Sequence, residues 1–165
     1  RKHPSAAIID SQVVKTVEGG TAIGYDGGKK VKGRKRHILV DTLGLLLTVL
    51  VTAAKVEDRA GAKQLFSSSK HLSWKRMKLV WADSNYTGEL ITWLKETLGW
   101  ILESVHKRPD QLGFEVLPKR WIVERTFAWL NRQRRLSKDY ERLPETSEAF
   151  IHVAMIRLML KKLEA

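Results

Sequence analysis

The chain has 165 residues, 43% of them hydrophobic, enough to bury one sizeable core and short for two independent domains. Thirty Lys and Arg against eighteen Asp and Glu give a formal net charge of +12, which favours a polyanionic partner, nucleic acid foremost. The lack of Cys excludes disulfide scaffolding and thiolate metal sites, the five His show no zinc-type spacing, and no apolar run is long enough to span a bilayer, so no membrane partner and a cytoplasmic location are expected.

The chain opens Arg1-Lys2-His3-Pro4 without an initiating Met, and an upstream region of a longer natural protein is expected. Ala6 to Val14 predicts a first strand, and the glycine-rich stretch Gly19 to Gly28 predicts a loop with no regular structure of its own. A basic run, Lys29 to Arg36, leads into a second strand at His37 to Val40. Asp41-Thr42-Leu43-Gly44 has the Asp-first, Gly-fourth pattern of a tight turn, which makes a hairpin with Leu45 to Thr52.

Asp58 is placed to cap a short helix through Ala60, Ala62, Leu65 and Phe66, ended by Ser67-Ser68-Ser69. A fourth strand, Lys78 to Ala82, closes on Asp83. Thr87 begins a second helix with Leu90, Ile91, Leu94 and Leu98 on one face, and Gly99 stops it. Trp100 to Val105 reads as a fifth strand and Pro109 to Pro118 as a loop. A helix from Arg120 to about Arg135 follows, then a last one after Pro144, apolar nearly all round and expected to be buried as a brace. The expected fold is α/β: one domain over residues 1–165, a mixed five-stranded sheet of three antiparallel strands followed by a βαβ unit, with helices on both faces.

Three acids stand out in this basic chain. Asp10 and Asp83 end apolar runs, so each carboxylate lies at the lip of a buried strand, and Glu124 lies in an amphipathic, Arg-rich helix. Hard divalent cations take oxygen ligands, and two or three carboxylates suffice for a pair of Mg²⁺ ions when a phosphodiester substrate supplies the remaining oxygens. The competing readings are local: Asp10 and Asp83 bonding the residues that follow them, and Glu124 pairing with Arg120 one turn earlier.

Lys29, Lys30, Lys32, Arg34, Lys35 and Arg36 are candidates to track a phosphate backbone beside Asp10, with a solvated strand edge as the alternative. Arg120, Arg125, Arg132, Arg134, Arg135 and Lys138 crowd around Glu124, a repulsion that an anion would relieve. The Trp residues are expected in the core rather than as base-stacking platforms. Gly27-Gly28-Lys29 lacks the spacing and the terminal Ser or Thr of a phosphate-binding loop, so no nucleotide cofactor is expected.

Ile9-Asp10-Ser11, Lys32 to Asp41, Ala82-Asp83-Ser84-Asn85-Tyr86, Arg120 to Leu130 and Arg134-Arg135-Leu136 together resemble the bacterial insertion-sequence transposases of the fifth family, within the wider DDE group. The resemblance covers nearly the whole chain. It implies a ribonuclease-H-like fold, Asp10, Asp83 and Glu124 as catalytic metal ligands for two Mg²⁺ with Mn²⁺ as a substitute, and cleavage of double-stranded DNA at transposon ends followed by strand transfer into target DNA. It also implies a homo-oligomer on DNA, nucleoid association when bound, and an upstream end-binding region absent here. In the wider group a Tyr stands three positions before the Arg and a Lys seven after the Glu; here those places hold Leu117 and Asn131, leaving Arg132, Arg134 or Arg135 as substitutes. A host nuclease of the same fold and a non-catalytic DNA-binding remnant are the rival readings.

Overall fold

In the computed structural model, which describes residues 3–17, 19–69, 75–105, 117 and 119–164, the elements follow the order ββββαβαβαα. They are β1 (Ala6–Lys15), β2 (Gly24–Asp26), β3 (Val31–Asp41), β4 (Leu46–Ala53), α1 (Asp58–Ser68), β5 (Leu79–Ala82), α2 (Glu89–Leu98), β6 (Ile101–Ser104), α3 (Arg120–Asn131) and α4 (Pro144–Leu163). The expected Pro109 to Pro118 loop, Leu117 apart, lies outside the described residues.

The sheet has six strands rather than five. β3 pairs antiparallel with β1 on one edge and with β4 on the other, while β5 and β6 extend the far side of β1 in parallel. The sixth strand is β2, inside the stretch read as an irregular loop. Because β3 begins at Val31, six residues before the expected start, its early backbone offers an unpaired edge that Gly24–Asp26 fills. The β3–β4 turn forms as expected: Gly44 N–H donates to the Asp41 carbonyl at 3.0 Å, and Asp41 Oδ1 accepts from Leu43 and Leu45 at 2.8 Å each.

Strand alternation sorts the core into two layers. Ala7, Ile9, Leu39 and Val80 pack under α1 and α2 with Leu65, Phe66, Leu90 and Leu94. Ile8, Ile38, Val40 and Val49 pack under α3 and α4 with Val123, Phe127, Leu130 and Ile151. α2 stops at Gly99, whose φ of 70° and N–H to the Lys95 carbonyl are those of a left-handed helix terminus.

Two expectations about helices are corrected. α3 ends at Asn131, and Arg134–Leu136 form a separate 3₁₀ turn. α4 is not enclosed: Ser147, Ile151, Ala154 and Met155 are buried, whereas Val153, Ile156, Leu160 and Leu163 are exposed. One helix face meets the sheet, and no described element covers the opposite one.

Candidate active site

The β1–β5 pairing aligns Ile8 with Trp81, and both belong to the layer under α3 and α4. Two residues further along each strand, Asp10 and Asp83 emerge on that same face, about one inter-strand spacing of ~4.8 Å apart in backbone. The start of α3 lies over this point, because α3 packs its Ile122, Val123 and Phe127 onto the layer that contains Ile8.

Asp10 is half-buried. Burial pushes its carboxyl up from 3.8 to about 7, the Ser11 N–H opposes this, the charges of Asp83 and Asp58 raise it further, and Arg120 lowers it. Ser11 N–H donates to Asp10 Oδ1 at 2.8 Å, leaving Oδ2 without a hydrogen bond from the described residues. Asp83 is held alike: Oδ1 accepts the Asn85 N–H at 2.8 Å, and Asn85 Nδ2 donates to Oδ2 across a longer 3.4 Å. Both acids therefore play their local backbone role and still present an oxygen outward. Two like charges held together at a low-dielectric lip, with hard oxygen donors, suit a divalent cation such as Mg²⁺.

Glu124 is not gathered with them. Its carboxylate is exposed and lies 3.5 Å from Arg120 Nη2, the i,i+4 pair that its spacing allows. Among the described residues no three His, Cys, Asp or Glu side chains stand close enough to share an ion. Arg120 links the parts, since it pairs with Glu124 and its charge also reaches Asp10.

Several candidate phosphate contacts prove to be scaffold. Arg34 is wholly buried and its guanidinium donates to the carbonyls of Thr21, Glu141 and Arg142 and to Asp139 Oδ1 at 3.1 Å. Arg36, also wholly buried, donates to the Leu136 carbonyl at 2.8 Å and the Lys138 carbonyl at 3.2 Å. Their alternation on β3 aims both at the segment after α3, whose carbonyls accept from them. Lys35 points the other way and donates to the Val56 carbonyl at 2.8 Å and to Asp58 at 3.1 Å. All three are buried because strand β3 starts earlier than the apolar run suggests and carries them into the interior.

Arg125 is similarly occupied. Its guanidinium lies between the rings of Trp121 and Trp129, 4.4 and 4.6 Å from their centroids, and donates to the Leu43 carbonyl. Trp121 is 40% exposed and is thus no core residue, whereas Trp100 is buried edge-on against Phe66. Arg135 pairs with Glu141 at 2.7 Å and caps the Phe150 ring. Three of the six crowded cations have such partners: Arg120 and Arg135 a carboxylate each, and Arg125 two rings and a carbonyl. Lys29, Lys30, Lys32, Arg132 and Arg134 remain exposed.

Two residues near the acids carry no individual signal in the sequence. Asp58, expected as a cap, makes no cap bond; Glu57 occupies that position, and Asp58 Oδ1 instead accepts from Ser11 Oγ at 2.7 Å. Tyr86 is fully buried, with no hydrogen-bond partner for its hydroxyl among the described residues, and burial with the charges of Asp10 and Asp58 drives its pKa well above the usual value. A cleft of about 500 Å³ opens beside Asp58, Lys35, Ser84 and Asn85, with Tyr25, Lys55 and Arg59 on its walls.

A mixed sheet ordered β4-β3-β1-β5-β6, with one carboxylate within β1 and another just past the end of its parallel neighbour β5, defines a ribonuclease-H-like domain. The catalytic core domain of BIV integrase has this fold in its crystal structure, with a TM-score of 0.53 and 16% identity over 92% of this chain and 81% of that one. Residues 1–159 match the family described as Transposase DDE domain, and the chain belongs to that family. It is 31% identical over 125 residues to a transposase assigned to insertion sequence element IS402 of Burkholderia cepacia. That match covers 72% of this chain and 59% of the relative's length. No helix among the described residues is long and apolar enough to cross a membrane.

Proposed function

We propose that this chain is the catalytic domain of an insertion-sequence transposase, cutting double-stranded DNA at its element's ends and joining the freed 3′-hydroxyl to target DNA as a homo-oligomer. The observation that carries this reading is that Asp10 and Asp83 each follow the paired Ile8 and Trp81 by two residues and that the charge of Asp83 acts on Asp10. Bound there, Mg²⁺ or its substitute Mn²⁺, in two-ion form, supplies charge neutralisation on the attacking and leaving oxygens.

The chain's residues do the rest. The Ser11 and Asn85 N–H groups hold the carboxylates of Asp10 and Asp83 in fixed orientation. Arg120, beside Asp10, is placed to take a scissile phosphate. Once it does, Glu124 is released from its 3.5 Å ion pair and becomes the third carboxylate. Lys29, Lys30, Lys32, Arg132 and Arg134, all exposed, contact the DNA backbone, while Arg34, Lys35, Arg36, Arg125 and Arg135 hold the fold.

The test is Mg²⁺-dependent nicking and joining of end-sequence DNA by the full-length enzyme. Asp10→Ala, Asp83→Ala and Glu124→Gln should each lower the rate by at least ~10³. Undiminished activity in either Asp variant rejects the reading. Cleavage without a covalent joint would point to a host nuclease, and DNA affinity without Mg²⁺ or Mn²⁺ binding in titration calorimetry to a non-catalytic remnant.

A further inference from the structure

We infer that the uncovered face of α4 pairs, antiparallel, with the same face of a second copy of this chain. The inference rests on the homo-oligomer of the reading above, locates its interface and needs nothing from the acids. Ala149, Val153, Ile156, Leu160 and Leu163, all exposed, follow one another along α4 at steps of four, three, four and three residues. That is the spacing with which one helix runs alongside another, each side chain entering a gap between side chains of its partner. A stripe that seats a helix on a core is wider. The opposite face of α4 already meets the sheet through Ser147, Ile151, Ala154 and Met155. Two flanking cations lean off the seam: Arg157 donates to Gln133 Oε1 at 3.0 Å, and Lys162 lies over the Trp129 ring, 4.9 Å from its centroid. They leave the apolar line open to a second helix.

Three observations identify the occupant as α4 of another copy. Among the described residues α1 exposes no large apolar side chain, α2 only Ile91 and α3 only Trp121, so α4 itself is the helix whose seam matches. A face that fits itself closes by a two-fold axis. The charges along the helix set the direction. Glu145 and Glu148 stand in its first turns, whereas Arg157, Lys161 and Lys162 stand in its second half, with Glu164 the one acid beside them. Antiparallel seating lays each acidic end along the basic end of its partner and opposes the two helix dipoles; a parallel pair would bring both basic ends together. The area suffices as well. Val153 is 61% exposed, Ile156 56%, Leu160 55% and Leu163 84%. Pairing covers about 400 Å² of these side chains per copy, about 800 Å² in all, and the flanks of each helix carry the total past the ~1,000 Å² that a specific interface needs.

Sedimentation equilibrium of the full-length enzyme, free of DNA and metal, should show a dimer. Ile156→Glu and Leu160→Glu each place a charge in the seam and should weaken the dimer by at least ~30-fold, while Ile101→Glu, at an equally exposed position on β6, leaves it unchanged. These 165 residues hold no cysteine, so once any cysteine elsewhere in the enzyme is replaced by serine, single-cysteine variants mark where two copies touch. With a short bismaleimide, Ile156→Cys should link to itself, and Leu163→Cys should link to Ala149→Cys of the other copy but not to itself. All of these positions are exposed, so unchanged circular dichroism separates lost pairing from lost folding. A dimer that survives both seam charges has its interface elsewhere and overturns the inference. Self-linking of Leu163→Cys means parallel pairing and overturns it too. So does a monomer without these links, whose seam is covered by the remainder of its own chain, or a monomer that binds anionic phospholipid vesicles until Ile156→Glu abolishes the binding. Those outcomes leave the catalytic reading intact, since Asp10→Ala and Asp83→Ala test that separately through cutting.

Discussion

Replacing Asp10 by Asn should make the metal-free protein more stable and remove a pH dependence. Burial holds the Asp10 carboxyl at about 7 instead of 3.8, so the folded chain binds a proton that the unfolded chain has released. For a folded pKa raised in this way, the stability contribution is complete below the unfolded value and is lost as pH climbs to the folded one. A rise of about three pH units at about 1.36 kcal/mol each amounts to about 4 kcal/mol, of which about 2 kcal/mol falls between about pH 5 and neutrality and nearly 3 kcal/mol by about pH 8. His37, pushed down to about 4 by burial, acts in the opposite sense as pH falls, but it is common to both proteins and cancels in their difference. Urea denaturation in the presence of a chelator, at about pH 5 and about pH 8, measures the effect. Wild type should lose about 3 kcal/mol relative to Asp10→Asn across that interval, and saturating Mg²⁺ at the higher pH should recover about 1–3 kcal/mol in wild type alone. Parallel pH profiles for the two proteins would refute the reasoning, because Asp10 would then be solvated as a free carboxylate is.

Arg34→Met strips five hydrogen bonds and leaves Asp139 buried without its cation, so urea unfolding should show a loss of about 3–5 kcal/mol, while Lys32→Met at an exposed position changes little. A Cβ at Gly61 would overlap the buried His37 ring, and Gly61→Ala should therefore lower the melting temperature by an amount equivalent to about 1–3 kcal/mol. Tyr86→Phe deletes a buried hydroxyl that lacks a partner among the described residues, and thermal unfolding should find the variant as stable as wild type or up to about 1–2 kcal/mol more so.

The sheet's antiparallel and parallel parts were legible in the sequence because each long strand is an apolar run closed by a turn or an acid, as at Ala82-Asp83 and Asp41 to Gly44. The short edge strand was not, since Gly24–Asp26 has no pattern of its own and exists only because β3 needs a partner. The basic run misled for a related reason: Arg34, Lys35 and Arg36 read as solvated cations until the segment after α3, about a hundred residues later, supplies carbonyls for two of them. Hydrophobicity put Asp83 at the end of β5, where it lies, but Asp10 falls in the middle of β1, because the strand runs on to Lys15 past the apolar run. Their alignment followed from register, which no local signal encodes, and Glu124 took its local partner Arg120. α4 looked apolar throughout because Val153, Ile156 and Leu160 are spaced among the core residues, and composition cannot say which face meets the sheet.

Arg34 finds three of its partners 105 to 108 positions further along the polypeptide, and Arg36 finds its own 100 to 102 away. Until the segment after α3 emerges during synthesis, Arg36 lacks both of its carbonyl partners and Arg34 has only the Thr21 carbonyl. A ribosome-bound fragment can complete the hairpin of β3 and β4, but it has neither Arg120 nor the clasp that secures that segment. Maturation of the acidic lip is thus coupled to the arrival of residues far downstream, and a chain terminated before α3 carries Asp10 and Asp83 without the helix that covers them.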